Sequence, residues 1–363
     1  MSDPVILLSS ERSGSNLIRV MMDSHPQFAA PHSPHLIKTF LPVLAQYGRL
    51  SEDQNLRMLA EDMIKVVEIQ LRGWRFTPSV EDVVKRCQSP TFSGLLNSLY
   101  LSAADHDGKS RCFIKDNGAI PHAFELSLLF PDAKFVYMVR DPRDVALSWK
   151  KSPGHPGGVR AAARMWRYEQ DMALRFLSVA EHSDRIHVVR YERLVSEPET
   201  GLKRLCEFLD TSFEPAMLEF FSGKEATTSA NAAIGWKNLV KPVMTDNFAK
   251  YRAELSSREQ RIVERIAGRP LEQLGYELDH PRQSWNGEAD LVGKLWRAGR
   301  AAVQQLARGR EGIQELKQRT HRLKGLRNIA ARVSSRAPVW FHYSRNEQQN
   351  VHDGGDSETT KQQ

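Results

Sequence analysis

Three cysteines in 363 residues, Cys87, Cys112 and Cys206, are too few and too widely spaced for a disulfide framework or a structural zinc site. Cys206 falls within the amphipathic run Leu202 to Leu209 and is expected to pack as a small hydrophobe. No uninterrupted apolar stretch reaches the length of a transmembrane helix. The start Met1-Ser2-Asp3-Pro4 has neither the basic region nor the cleavage pattern of a signal peptide. These absences predict a reduced, cytoplasmic setting. No tight cluster of histidine, cysteine and acidic side chains appears, so no metal is predicted. Also missing are the Walker A pattern G-x-x-x-x-G-K-[ST] and the dinucleotide pattern G-x-G-x-x-G. The net charge of +7 and seven tryptophans raise a nucleic-acid-binding alternative, but no RNA-binding, recognition-helix or zinc-finger motif accompanies them, and nucleic acid is not favoured.

What is present begins with Leu7-Leu8-Ser9-Ser10-Glu11-Arg12-Ser13-Gly14-Ser15-Asn16-Leu17-Ile18. Val5 to Leu8 is short and apolar enough for a buried central strand. The small residues after it allow a ligand to approach the backbone, and Gly14 permits a tight turn. Ser13, Ser15 and Asn16 are candidate caps for a helix continued by Leu17, Val20 and Met21. Backbone N–H groups at such a helix start, with Arg12 beside them, make an anion cradle. An ordinary strand-turn-helix connection would look the same, so a second motif is needed.

Ala133 to Val139 is another buried-strand run, followed by Arg140-Asp141-Pro142-Arg143-Asp144 and the helical segment Val145-Ala146-Leu147-Ser148-Trp149-Lys150. Arg140 at a strand end fits a crevice beyond the carboxyl ends of a parallel sheet. With Ser148 it would give one phosphate a charged fork and a hydroxyl. Taken singly, Arg140 could pair with Asp141 or Asp144, and Ser148 could be a neutral helix-face residue.

Together these two segments resemble the sulfotransferase family that uses 3′-phosphoadenosine 5′-phosphosulfate (PAPS). Ser10 to Asn16 looks like its 5′-phosphosulfate loop, with Arg12 at the basic position, and Arg140 to Ser148 looks like its 3′-phosphate motif. Tyr191-Glu192-Arg193-Leu194 resembles the strand end where the family can contact adenine, and Gly235-Trp236-Lys237-Asn238 resembles an element near the nucleotide. The resemblance covers roughly residues 5–280. It implies an α/β, P-loop-like sulfotransferase fold with a mostly parallel central sheet, flanking helices and a C-terminal helical extension. It also implies PAPS as sulfuryl donor to an acceptor hydroxyl of a small molecule, carbohydrate or lipid. A P-loop kinase-like phosphotransferase is the alternative, against which the missing Walker A pattern weighs. One departure is plain: where cytosolic members carry an arginine-lysine-glycine element holding the 3′-phosphate, this chain has Ser229-Ala230-Asn231-Ala232-Ala233. Lys237 and Lys241 are candidate replacements.

Lys115 looks like the family lysine that assists departure of the nucleotide, with a lysine at a strand edge as the plain alternative. Two positions on, where cytosolic members have a histidine, stands Asn117, and an amide is a poor general base. Tyrosylprotein-type and carbohydrate-type members place a glutamate beyond a histidine-proline turn. Here His25-Pro26 leads to Ala30-Pro31-His32-Ser33-Pro34-His35, making His32 and His35 rival base candidates, with His32 nearer by spacing and His122 in reserve.

The chain divides into a sulfotransferase domain over 1–283, a basic amphipathic extension over 284–345 and a polar tail over 346–363 expected to be disordered. Residues about 36–106 are read as a helical acceptor-binding insertion, with Leu56, Leu59, Met63, Val66 and Val67 on one apolar face and Trp74 and Phe76 near the acceptor pocket. Within 291–336 there are twelve lysines and arginines against Glu311 and Glu315. That charge suits an anionic membrane surface, an acidic partner, a homodimer contact or steering of an anionic acceptor, although a charged helix face is most often simply solvated.

Overall fold

The computed structural model describes residues 4–70, 74–152, 155–179, 184–232, 234–281, 321–329 and 331–332. Five strands, β1 (Val5–Ser9), β2 (Phe28–Ala29), β3 (Arg111–Lys115), β4 (Lys134–Val139) and β5 (Ile186–Arg190), form one parallel sheet in the order β2-β3-β1-β4-β5. Alternation along the strands explains why their sequences read as continuous apolar runs. Ile6 and Leu8 of β1, Cys112 and Ile114 of β3, and Phe135, Tyr137 and Val139 of β4 enter one core. Val5, Leu7, Phe113, Val136 and Met138 enter the other. Both faces are therefore buried, as a parallel sheet flanked by helices requires.

The helices are α1 (Ser15–Asp23), α2 (Leu36–Phe40), α3 (Asp53–Glu68), α4 (Val80–Arg86), α5 (Phe92–His106), α6 (Ala123–Leu129), α7 (Pro142–Lys151), α8 (Gly158–Val179), α9 (Tyr191–Ser196), α10 (Pro198–Phe208), α11 (Lys224–Ala232), α12 (Tyr251–Glu254) and α13 (Ser257–Gln273). α3, α5 and α8 cover the first face, through residues such as Met63, Leu99 and Trp166, while α1 and α10 cover the second through Met21 and Leu205. The apolar stripe Leu56, Leu59, Met63, Val66 and Val67 is buried on α3. Trp166 on α8 is fully buried, and its indole N–H donates to the Arg140 carbonyl at 3.1 Å, so it holds the end of β4 from behind.

Because all five strands run the same way, the turns after β1, β3, β4 and β5 emerge along one edge of the sheet. β1 and β4 are neighbours, with Ser9 opposite Met138, and β3 brings Lys115 opposite Leu7 on the other side of β1. From β1 the chain passes to β2 and β3 on one side, and from β3 it crosses to β4 on the other side of β1, a reversal that opens a crevice at the carboxyl ends.

Of the basic extension, residues 321–329 are helical. Leu326 and Ile329 pack on the first core, and a Cβ added at Gly325 would lie 2.5 Å from Ile69 Cδ1 at the end of α3. Arg332 pairs with the buried Asp62 of α3. This part of the extension lies against the domain. The expectations for 284–320 and for the polar tail fall outside the described residues. Among the described residues, no helix is long and apolar enough to cross a membrane.

Candidate active site

The loop after β1 is shaped by two left-handed residues, Arg12 at φ 68° and Gly14 at φ 92°. Gly14 has a second constraint, since a Cβ there would lie 2.4 Å from Cδ2 of the Tyr191 ring. Only glycine lets the loop turn so close to that ring. Gly14 is also the N-cap of α1, and no side chain caps the helix. The sequence expectation that Ser13, Ser15 or Asn16 would cap it is therefore corrected: Asn16 Oδ1 instead accepts from Arg19 Nε at 3.4 Å. The amides of Leu17 and Ile18 return to the Gly14 carbonyl, which leaves the first amides of α1 facing the crevice. Ser13 Oγ is buried, and among the described residues it has no hydrogen-bond partner.

Arg140 directly follows β4. Its guanidinium lies over the Tyr191 ring at 4.1 Å, while Nη1 donates to the Arg12 carbonyl and Nη2 to the Asn247 carbonyl, each at 3.1 Å. Its Nε is buried without a partner among the described residues. Arg12 Nε donates to Ser148 Oγ at 3.0 Å, so the two sequence motifs, 136 residues apart, share one wall. Asn247 Nδ2 donates to the Tyr191 hydroxyl at 2.7 Å and ties that ring to the segment after Trp236.

Arg143, three residues beyond Arg140, does something else. Pro142 starts α7, Asp141 caps it, and the Arg143 side chain turns inward to Asp141, Glu264 and Asp279 at 2.8, 2.8 and 3.1 Å. Both Arg143 and Glu264 are buried, so removing the guanidinium strands two carboxylates away from water. Arg143→Met is expected to cost about 3–5 kcal/mol of stability, read as a lowered thermal midpoint. A midpoint within a degree of the parent would show that the network contributes nothing.

The crevice has a volume of about 520 Å³, a size suited to a cofactor-scale ligand. Of the residues singled out in the sequence, Arg12, Gly14, Ser15, Asn16, Lys115, Arg140, Ser148, Tyr191 and Trp236 line it. Ser13 is buried and does not line the crevice, and Lys237 is exposed and lies outside its wall, whereas Lys241 is on it, joined by Lys250. His32 and His35 are both buried and do not line it. The His32 ring packs on Trp236 at 4.9 Å and borders a separate cavity of about 10 Å³ with Trp74 and Phe76. His35 Nδ1 is 3.2 Å from Ser33 Oγ and 3.6 Å from Asp116 Oδ1, and burial keeps the ring well below its ordinary pKa. His122 bonds Glu125 on α6 at 2.8 Å.

Two crevice residues went unremarked in the sequence. Glu11 Oε2 lies 2.9 Å from His155 Nε2, and His155 Nδ1 lies 2.6 Å from Ser152 Oγ. Burial raises the Glu11 pKa, but the His155 hydrogen bond and the charges of Lys38 and Lys115 outweigh it and bring it to about 2. Lys115 moves the opposite way. Burial, reinforced by Arg19, lowers its pKa to about 7 despite Glu11 and Asp116 nearby.

Backbone amides, hydroxyls and guanidinium donors converge here, a donor set that suits phosphate and sulfonate oxygens. Among the described residues, no group of three histidine, cysteine or acidic side chains could hold a metal ion.

Residues 4–215 match the model of the sulfotransferase family. Nodulation protein NoeE of Sinorhizobium fredii is 26% identical over 302 residues, covering 77% of this chain and 67% of that protein. Protein-tyrosine sulfotransferase A of Caenorhabditis elegans is 25% identical over 291 residues, covering 78% and 70%. Among solved structures, the sulfotransferase domain from the curacin biosynthetic pathway superposes with a TM-score of 0.52 at 26% identity, covering 77% of this chain and 99% of that domain. Over half its length and through its five-stranded core, the chain belongs to the sulfotransferase family.

Proposed function

We propose that this protein transfers a sulfuryl group from PAPS to an acceptor hydroxyl of a small molecule, carbohydrate or lipid. The observation that carries this reading is the shared wall of the two anion subsites. Arg12 reaches Ser148, Arg140 reaches the Arg12 carbonyl, and the buried Arg140 Nε is left without a partner among the described residues. A nucleotide carrying phosphates at both ends of a ribose would satisfy both subsites at once. The α1 amides and Arg12 would take the sulfonate end, Arg140 and Ser148 the 3′-phosphate, and Tyr191 and Trp236 the base. Lys241 and Lys250 on the crevice wall stand in for the absent arginine-lysine-glycine contact.

The transferred group moves as a unit from one oxygen to another, so the protein's task is to align the donor and to offset charge gathering on the departing nucleotide. Arg12, the helix amides and Lys115 are the groups positioned to do that. Calorimetric titration with 3′-phosphoadenosine 5′-phosphate (PAP), ATP and an oligonucleotide tests the donor. Incubation with sulfur-35-labelled PAPS and a panel of 4-methylphenol, a primary alcohol and a sugar tests transfer. Preference for PAP with labelled product is the expected result, and ATP-dependent phosphorylation of the same panel would overturn it.

A further inference from the structure

Resting on the sulfuryl-transfer reading, we infer that His155 is the general base for the acceptor hydroxyl, receiving its proton through Ser152, with Glu11 as the residue that positions the imidazole.

Few side chains on the crevice wall are able to take a proton. Its arginines and its other lysines are cations, and Lys115 serves the opposite end of the reaction. Asp144 is occupied by the amides of Ala249 and Tyr251 at 2.6 and 3.0 Å, and Glu254 by Lys151. Tyr191 lies under Arg140 with its hydroxyl on Asn247. Glu11 and His155 remain, in contact with each other at 2.9 Å and both part of the crevice wall.

Their order follows from the hydrogen bonds. The Glu11 carboxylate can only accept in its bond with His155 Nε2, so in the neutral imidazole the hydrogen sits on Nε2 and Nδ1 has its lone pair. Ser152 Oγ, 2.6 Å from Nδ1 and also on the wall, then donates its own hydrogen to that nitrogen. The Ser152 oxygen is left to accept from a hydroxyl in the crevice. Asn117 Nδ2 faces the other Glu11 oxygen at 3.4 Å, and the Trp149 ring stands 4.4 Å from the imidazole. Trp149 Nε1 is in turn held by the Pro156 carbonyl at 3.1 Å. The imidazole is thus fixed from both sides, in the carboxylate-imidazole-hydroxyl order that lets a histidine take a proton and share the resulting charge.

As transfer proceeds, the acceptor O–H proton passes to Ser152 Oγ while the Ser152 proton passes to His155 Nδ1. The acceptor oxygen forms its bond to sulfur, and the bond from sulfur to the bridging oxygen breaks with its electron pair left on the 5′-phosphate of PAP. Glu11 holds the imidazolium until it returns its proton to water.

The test compares the full chain with His155→Asn, Ser152→Ala and Glu11→Gln on two phenols, 4-methylphenol and 4-nitrophenol, with PAPS as donor. The first phenol must lose a proton during transfer; the second, a much stronger acid, is mostly ionised at a mildly alkaline assay pH. His155→Asn is expected to lower kcat on 4-methylphenol by about a hundredfold or more and on 4-nitrophenol by less than tenfold. Ser152→Ala should show the same split, and Glu11→Gln a loss of about tenfold, again confined to 4-methylphenol. PAP affinity, measured alongside, separates these effects from a damaged nucleotide site. If neither phenol is sulfated, the slow hydrolysis of PAPS, with water as acceptor, reads the same loss. Equal losses on both phenols, or none on either, would overturn the inference and leave sulfuryl transfer standing. Should His155→Asn fail to fold, the Ser152→Ala split decides alone. A parent protein that consumes no PAPS with phenol or water overturns the underlying reading and this inference with it.

Discussion

Arg140→Ala weakens binding of PAP by a hundredfold or more in a calorimetric titration, with the protein still folded. The guanidinium is not a free surface charge recruited by the ligand. Two of its nitrogens are already committed to the carbonyls of Arg12 and Asn247, and its face rests on Tyr191 at 4.1 Å. Under the proposed function it would meet the nucleotide without an entropic cost of ordering, and its buried Nε has no other acceptor among the described residues. Hydrogen bonds to a charged group contribute about 1.5–3 kcal/mol each, so losing one charged contact and the order of the Arg12 carbonyl corresponds to roughly a hundredfold. Arg140→Lys keeps the charge but not the fork, and should fall between the parent and the alanine variant. PAP bound by Arg140→Ala as tightly as by the parent would remove Arg140 from the site. The contrast with Arg143→Met, which is expected to lower stability first, separates two arginines that look alike in the sequence.

That pair shows where sequence reasoning succeeds and where it stops. The strands were legible because a buried parallel strand needs apolar residues on both faces: Val5 to Leu8 was expected and Val5–Ser9 is seen, Ala133 to Val139 was expected and Lys134–Val139 is seen. β2, only Phe28–Ala29, has no such run and exists because β3 offers Arg111 and Cys112 as partners. Arg140 was legible as a strand-end residue, since strand, turn and helix follow each other locally. The inward turn of Arg143 depends on Glu264, 121 residues away, and has no local sign. The same limit bears on the candidate bases. His32 and His35 stand out because prolines surround them, yet His32 packs with Trp74 and Trp236 and His35 lies against Asp116, all contributed from distant segments. Glu11 was in plain view inside the anion loop, but its partner His155 lies 144 residues on. A carboxylate in a loop otherwise shaped for anions was the available clue. It conflicts with the loop's charge unless another group balances it.

Lys115→Met lowers kcat by about a hundred- to a thousandfold at saturating substrates, with a much smaller change in PAP affinity. Removing one preorganised donor at the point where charge develops carries a penalty of that size. β3 ends at Lys115, and its pairing with Leu7 of β1 sets the ammonium beside the loop to which the proposed function gives the sulfonate end. Lys115 is 3% exposed, and burial with the Arg19 charge outweighs the attraction of Glu11 and Asp116, leaving its pKa at about 7. The sign of the pH effect follows. Below about 7 the free enzyme carries the ammonium that the departing nucleotide needs, and above it the fraction of competent enzyme shrinks. The profile of kcat/KM for PAPS should accordingly fall as pH rises through that value, while kcat holds to higher pH because the bound anionic donor favours the charged lysine. Lys115→Met should flatten the falling limb as well as lower the whole curve. A variant that turns over like the parent would leave Lys115 as a buried strand-end cation. One that loses rate but keeps the falling limb would assign that limb to another group, with the helix amides and Arg12 carrying the departing charge.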